Sequence, residues 1–234
     1  MKILDRSNSR GFADFGWLKT HHTFSFGHYF NPNRIQFGAL RVLNDDIVAP
    51  GMGFSTHGHE NMEIISIPLH GSIAHKDSTG TDGIINTGEV QVMSAGSGIR
   101  HSEFNPSPEK SLNFLQIWVL PKIKNINPRY DQKEFSKDAR INRFQTIVSP
   151  DQSSESLWIN QDAYFNLANI EKGKLLSYFL KNEANGTYIF VISGKISIAN
   201  EILEKRDGFG ISNESEISIE AIEDSEILLI EVPT

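Results

Sequence analysis

Residues 51–71 read GMGFSTHGHENMEIISIPLHG, and residues 88–104 read GEVQVMSAGSGIRHSEF. Each holds a short pattern of ligand-type residues: His57-Gly58-His59 in the first and His101-Ser102-Glu103 in the second. Side chains two apart on a strand leave the same face, so each pattern aims two donors in one direction. Two such strands side by side bring together three imidazoles and one carboxylate. That set suits a borderline divalent ion (Fe, Mn, Ni, Cu or Zn) and suits Ca or Mg poorly. Four protein ligands on an octahedral ion leave room for a bidentate substrate, or for a substrate plus O₂. Glu63 shares parity with His57 and His59, so on spacing alone it competes with Glu103 as the carboxylate.

Outward from these stretches, most segments read as short strands. Ile35–Leu43, Met62–Leu69, Leu112–Leu120, Tyr188–Ile192, Lys195–Ala199 and Glu226–Val232 are rich in Ile, Val, Phe and Leu and are bounded by Gly, Asn, Asp or Pro. No long segment keeps a 3.6-residue period, although Tyr130–Ala139 has room for a short helix. Such spacing predicts an all-β sandwich or barrel. A weak internal repeat points to two related halves: Ile64–Gly71 resembles Ile189–Gly194, and Gly88-Glu89-Val90 resembles Asp207-Gly208-Phe209. The polar, proline-bearing stretch 121–140 separates them. The expected organisation is a metal-binding barrel at residues 1–125, a linker at 126–140 and a similar barrel without ligands at 141–234. All eight histidines lie in the first 101 residues, so imidazole chemistry belongs to the first half.

The formal net charge of −7 offers nothing to a phosphate backbone and argues against direct nucleic-acid binding. The absence of cysteine excludes disulfides, thiolate-ligated zinc and a thiolate nucleophile. No apolar run approaches the ~18 residues of a membrane span, and the first residues lack the apolar core of a signal peptide. A cytoplasmic monomer is expected. His21, His22 and His28 sit among aromatics in HHTFSFGHYF and read as structural. Gly96-Ser97-Gly98 reads as a turn, since no Gly-Lys-Ser/Thr follows. Asp45-Asp46 and Glu201–Asp207 read as solvated surface. Arg100 and Asn105 flank the second pattern; Asn105 shares parity with His101 and is the better candidate to support the ligands.

The two ligand stretches resemble the metal motifs of cupins, specifically of the pirin family. The resemblance runs over nearly the whole chain: HTFSF at 22–26, FGALRVLNDD at 37–46, HKDSTG at 75–80, FLQIWVLP at 114–121, Pro128-Arg129-Tyr130 and SPD at 149–151. It implies a bicupin, two antiparallel β-barrels in tandem, with metal in the first. It also implies that His57, His59, His101 and Glu103 are the ligands, whereas most cupins use the carboxylate placed as Glu63 is here. Two departures stand out. The family often has Pro between the first two histidines and Arg after them, where this chain has Gly58 and Glu60; and the family's Gly-Asp-Gly turn in the second barrel reads Arg206-Asp207-Gly208 here.

Bacterial pirins are associated with quercetin 2,3-dioxygenase activity. The resemblance therefore implies a phenolic or enol substrate, O₂, one divalent ion with Fe(II) foremost, and Glu103 as the base that takes the flavonol 3-hydroxyl proton. Oxygen then adds across C2 and C4, and carbon monoxide and a depside leave. A second implied class is a metal-dependent, redox-sensing regulator that binds protein partners. Glu60 at the mouth would repel an anionic substrate that an Arg there would attract.

Overall fold

Runs of β-branched and aromatic residues become strands along all of residues 1–234 of the computed structural model. The helical content is two 3₁₀ turns, Ser7–Ser9 and Lys137–Arg140. The first half pairs two sheets. A seven-stranded sheet runs in the order Arg129–Glu134, Glu89–Ser94, Glu63–His70, Leu112–Val119, Leu40–Val48, Leu18–His22, Gly11–Asp14. Opposite it lies a four-stranded sheet, Gly53–His59, Ile99–Phe104, Ser72–Asp77, Asp82–Asn86.

The second half repeats this frame. Its seven-stranded sheet runs Lys2–Asp5, Gly208–Ser212, Asn185–Ser193, Ser225–Pro233, Tyr164–Ile170, Gln145–Ser149, Leu157–Trp158, and its four-stranded sheet runs Leu175–Phe179, Glu216–Ala221, Lys195–Ile198, Glu201–Glu204. All strand pairings are antiparallel except that of Gln145–Ser149 with Leu157–Trp158, and the isolated bridge between Ile141 and Asn169 is parallel too. The fold is thus all-β and bicupin, as expected. The sheets are not hydrogen-bonded into closed barrels; packed side chains, rather than ladder bonds, hold each facing pair together. The repeat seen in the sequence is real: Glu63–His70 and Asn185–Ser193 hold equivalent sheet positions, and each is followed by a glycine at φ +85°, Gly71 and Gly194.

Edge strands tie the halves together. Lys2–Asp5, at the start of the chain, pairs with Gly208–Ser212 in the second half. Arg129–Glu134 holds the equivalent edge of the first half, pairing with Glu89–Ser94. This corrects the expected helix at Tyr130–Ala139. The segment gains a ladder partner that local propensity does not register, and only Lys137–Arg140 coils.

The largest apolar cluster lies between the two seven-stranded sheets. It joins Leu40, Leu43, Ile65, Leu115 and Ile117 to Phe165, Leu167, Phe190, Leu228 and Ile230. A second cluster fills the second half between its own two sheets, with Ile189, Val191, Ile196, Ile198, Leu203, Phe209, Ile217, Ile219 and Leu229. The corresponding space in the first half has only two small apolar clusters, around Ile73 and Phe114 and around Ile64 and Met93. What fills the gap between them is polar.

Candidate metal centre

Strands Gly53–His59 and Ile99–Phe104 lie side by side, with His101 opposite His57 and Ile99 opposite His59. The period-2 reading therefore holds, and three imidazole rings meet with centroids 4.5–4.9 Å apart. Nε2 of His59 and Nε2 of His101 face one another at 3.0 Å. The Nδ1–H of His57 donates to the Ser55 carbonyl at 2.8 Å, which leaves its Nε2 free to ligate. Burial lowers His59 to about 4, with the nearby His57 adding to the effect. Burial, followed by His57 and His59, lowers His101 to about 3. Both rings are neutral at pH 7, as metal ligands must be. Opposed ring nitrogens of neutral imidazoles, each lacking a protein donor, fit a divalent transition metal.

A bulge between His101 and Glu103 shifts the register so that Glu103 opposes Phe54, and it brings the backbones close. A side chain at Gly53 would collide with the Glu103 carbonyl oxygen, so glycine is required there. Glu103 is buried, accepting from Ser66 Oγ at 3.1 Å and from Gln116 Nε2 at 2.8 Å. Burial raises it to about 7 in spite of these two donors. Its carboxylate groups most tightly with His101 and His75, while His57, His59 and His101 form the other tight triad. Glu63 goes elsewhere. The strand ends at His59 and the chain turns at Asn61 (φ 49°), which breaks the shared parity. Glu63 accepts from Ser94 Oγ at 2.7 Å and from the Asn160 amide at 3.1 Å, holding the second half against the first.

A cavity of about 400 Å³ opens beside the histidines, with Trp17, Phe26, Phe54 and Trp118 as aromatic walls and Asn44, Asp46, Glu103 and Gln116 as polar ones. Trp118 stands edge-on to His59, centroids 4.9 Å apart. Asp46 corrects the expectation of a solvated surface. It is buried, and burial raises it to about 7 against a hydrogen bond from Thr20. Asp45 is buried too, bound to Arg206 Nε at 2.8 Å and to Asn113 Nδ2 at 2.7 Å. Asp207 is likewise buried, accepting from the Ser7 amide and from Arg6 Nη1. These charges mark inner seams between sheets, which a run of acidic letters does not reveal.

Other expectations resolve plainly. Asn105 does not touch the ligands; its Nδ2 staples the backbone carbonyls of Val48, Ala49 and Lys110. Glu60 is exposed and is not among the residues lining the cavity, so any effect of its charge on a substrate acts through screened solvent. His22 is structural, 2.9 Å from Asn44 Oδ1. Gly96 and Gly98 form a turn at positive φ. One residue was missed: His75, buried beside His101 on the neighbouring strand, with ring centroids 5.4 Å apart. Its signal was present in the sequence, since His75-Lys76-Asp77 has the same alternation as His101-Ser102-Glu103.

The pirin family profile matches residues 5–119, and that of the quercetinase C-terminal cupin domain matches 146–232. A protein named quercetin 2,3-dioxygenase from Escherichia coli (strain K12) is 42% identical over 233 residues, covering 100% of this chain and 99% of that protein. The chain belongs to the pirin family. A pirin-like protein of Caulobacter vibrioides is 42% identical, over 98% of this chain and 99% of its own. Among solved structures, the bacterial pirin YhhW of Escherichia coli in complex with nickel(II) superposes with a TM-score of 0.94. It shares 40% identity and covers 100% of this chain and 99% of that one. A nickel-bound relative and the histidine cluster agree on a divalent metal for this pirin.

Proposed function

We propose that this pirin is a metal-dependent dioxygenase that opens flavonols such as quercetin with O₂ and releases carbon monoxide. The observation that carries this is the meeting of three neutral imidazoles at the wall of an aromatic-sided cavity that also holds Glu103. Full-length relatives named for the same activity support it. His57, His59, His101 and Glu103 are assigned as the ligands of one ion, with Fe(II) the first choice. When bound, that ion supplies Lewis acidity and a redox path to O₂. Residues 1–125 carry this chemistry and 141–234 serve as a companion unit without ligands, except that Lys2–Asp5 joins the second unit's sheet and Arg129–Glu134, within the connecting 126–140, joins the first's.

The chain's own residues do the rest. Trp17, Phe26, Phe54 and Trp118 present flat apolar surfaces to a planar polyphenol and keep water from it. Glu103 lines the same cavity as the aromatic walls and is the assigned acceptor for the 3-hydroxyl proton. Ser66 and Gln116 hold its two oxygens in place. O₂ and flavonol give carbon monoxide and the depside, so no further reductant is needed. The test is single-turnover mixing of flavonol and O₂ with iron-loaded protein, assayed for carbon monoxide. Stoichiometric carbon monoxide is expected. None from any metal form would overturn the dioxygenase reading in favour of the regulatory one.

A further inference from the structure

His75 lies behind the metal centre on strand Ser72–Asp77, opposite Glu103 in the sheet register. Its Nε2 is 2.9 Å from Asp77 Oδ2, and both side chains are fully buried. The other oxygen of Asp77 accepts from the Thr79 amide at 2.8 Å, Thr79 Oγ1 at 2.6 Å and the Thr81 amide at 3.2 Å. A carboxylate surrounded by donors stays ionised, so the proton of the neutral His75 ring must sit on Nε2. That makes His75 Nδ1 an acceptor, and it is buried without a partner.

His101 shows the complementary vacancy. Its Nε2 points at His59, on the metal side, so its proton belongs on Nδ1. That Nδ1 is also buried without a partner. One orphan donor and one orphan acceptor thus sit on adjacent rings, and a nitrogen of each lies within 4.8 Å of the other and of Glu103. Buried polar groups rarely stay unpaired. Glu103 is already engaged by Ser66 and Gln116. The ring of Tyr130 lies over His75, centroids 4.5 Å apart and tilted 32°, and covers the pair from solvent.

We propose that Asp77 and His75 form a positioning relay for His101: His75 Nδ1 accepts from His101 Nδ1–H, directly or through one water, and so fixes the tautomer that turns His101 Nε2 toward the metal. The loop Asp77–Thr81, which begins in the HKDSTG stretch, then orients a ligand on the neighbouring strand. This rests on the metal reading above.

The test is nickel(II) affinity, by chelator competition, for the wild-type protein and for His75→Leu and His75→Gln. Gln offers an acceptor oxygen at that position and Leu does not. Losing an outer partner of a ligating histidine lowers metal affinity by about 10- to 100-fold, the loss expected for His75→Leu. His75→Gln should recover most of it. In cobalt(II)-loaded protein, the shifted His101 Nδ1–H signal should exchange slowly with water in the wild type and in His75→Gln, and fast in His75→Leu. Equal nickel affinity in the wild type and His75→Leu overturns the relay. Equal losses in both variants, or a His101 proton that already exchanges fast in the wild type, overturn it too. Failure of the wild type to bind nickel overturns the metal reading itself.

Discussion

Strands Ile99–Phe104 and Glu216–Ala221 hold the same place in the two four-stranded sheets, second from one edge. The first turns Ile99, His101 and Glu103 inward; the second turns Ile217, Ile219 and Ala221 inward. The next strand repeats the contrast, with Ile73 and His75 in one half and Ile196 and Ile198 in the other. One frame therefore accepts two opposite interiors. The hydrocarbon interior gains roughly 1.5–3 kcal/mol for each large apolar side chain it buries. The polar interior forgoes much of that and holds Asp46 and Glu103 at about 7, well above their ordinary range. Stability is concentrated in the second interior and in the seam between the halves, and the first interior is free for chemistry.

Emptying the metal side should have the largest effect on function. His101→Ala should lower nickel(II) affinity by more than the ~10- to 100-fold expected for an outer partner, as read by chelator competition. Nearly unchanged affinity would mean that the histidine triad is not the site. Emptying the apolar side should have the largest effect on stability. Ile219 is fully buried, and Ile219→Ala should cost about 2–5 kcal/mol in denaturant unfolding of the metal-free protein. A cost below that of a surface substitution would undo the contrast.

Glu103→Gln sharpens the comparison, because it separates function from stability. The folded state raises the Glu103 carboxyl from 4.5 to about 7, so it holds the proton more tightly than the unfolded chain does. The stability tied to that proton is fully present below about pH 4.5 and is lost as pH rises through about 7. Metal-free Glu103→Gln should therefore be more stable than the wild type above pH 7, by on the order of 2 kcal/mol, with the gap closing toward pH 4. An advantage that grows toward acid would contradict the burial argument. The smallest effect is expected at the rim. Glu60 lies outside the cavity, so Glu60→Arg should leave KM for a flavonol unchanged, and a clear fall would return Glu60 to the mouth.

Much of this was legible in the sequence because strand chemistry has a period of two. His57, His59 and His101 were found by parity, and the repeat of strand plus glycine turn revealed the second unit. Legibility failed where structure is non-local. Lys2–Asp5 pairs with residues some two hundred positions away, and no local pattern announces that. Tyr130–Ala139 left room for a short helix because its ladder partner, Glu89–Ser94, is distant in the chain. Asp45 and Asp46 looked solvated because burial of a charge depends on partners such as Arg206 and Thr20, which a window around residue 45 does not contain. The Arg206-Asp207-Gly208 departure from the family turn has its explanation in the same place. Arg206 takes φ 71° and reaches Asp45 across the seam. The carboxylate choice between Glu63 and Glu103 rested on family resemblance, because a turn at Asn61 is invisible to parity.

The most direct test is anomalous diffraction at the metal edge from crystals of the metal-loaded protein. The account predicts one peak per chain, among His57, His59, His101 and Glu103, and none between the sheets of the second half. A peak in the second half, or one ligated by Glu63 in place of Glu103, would contradict it.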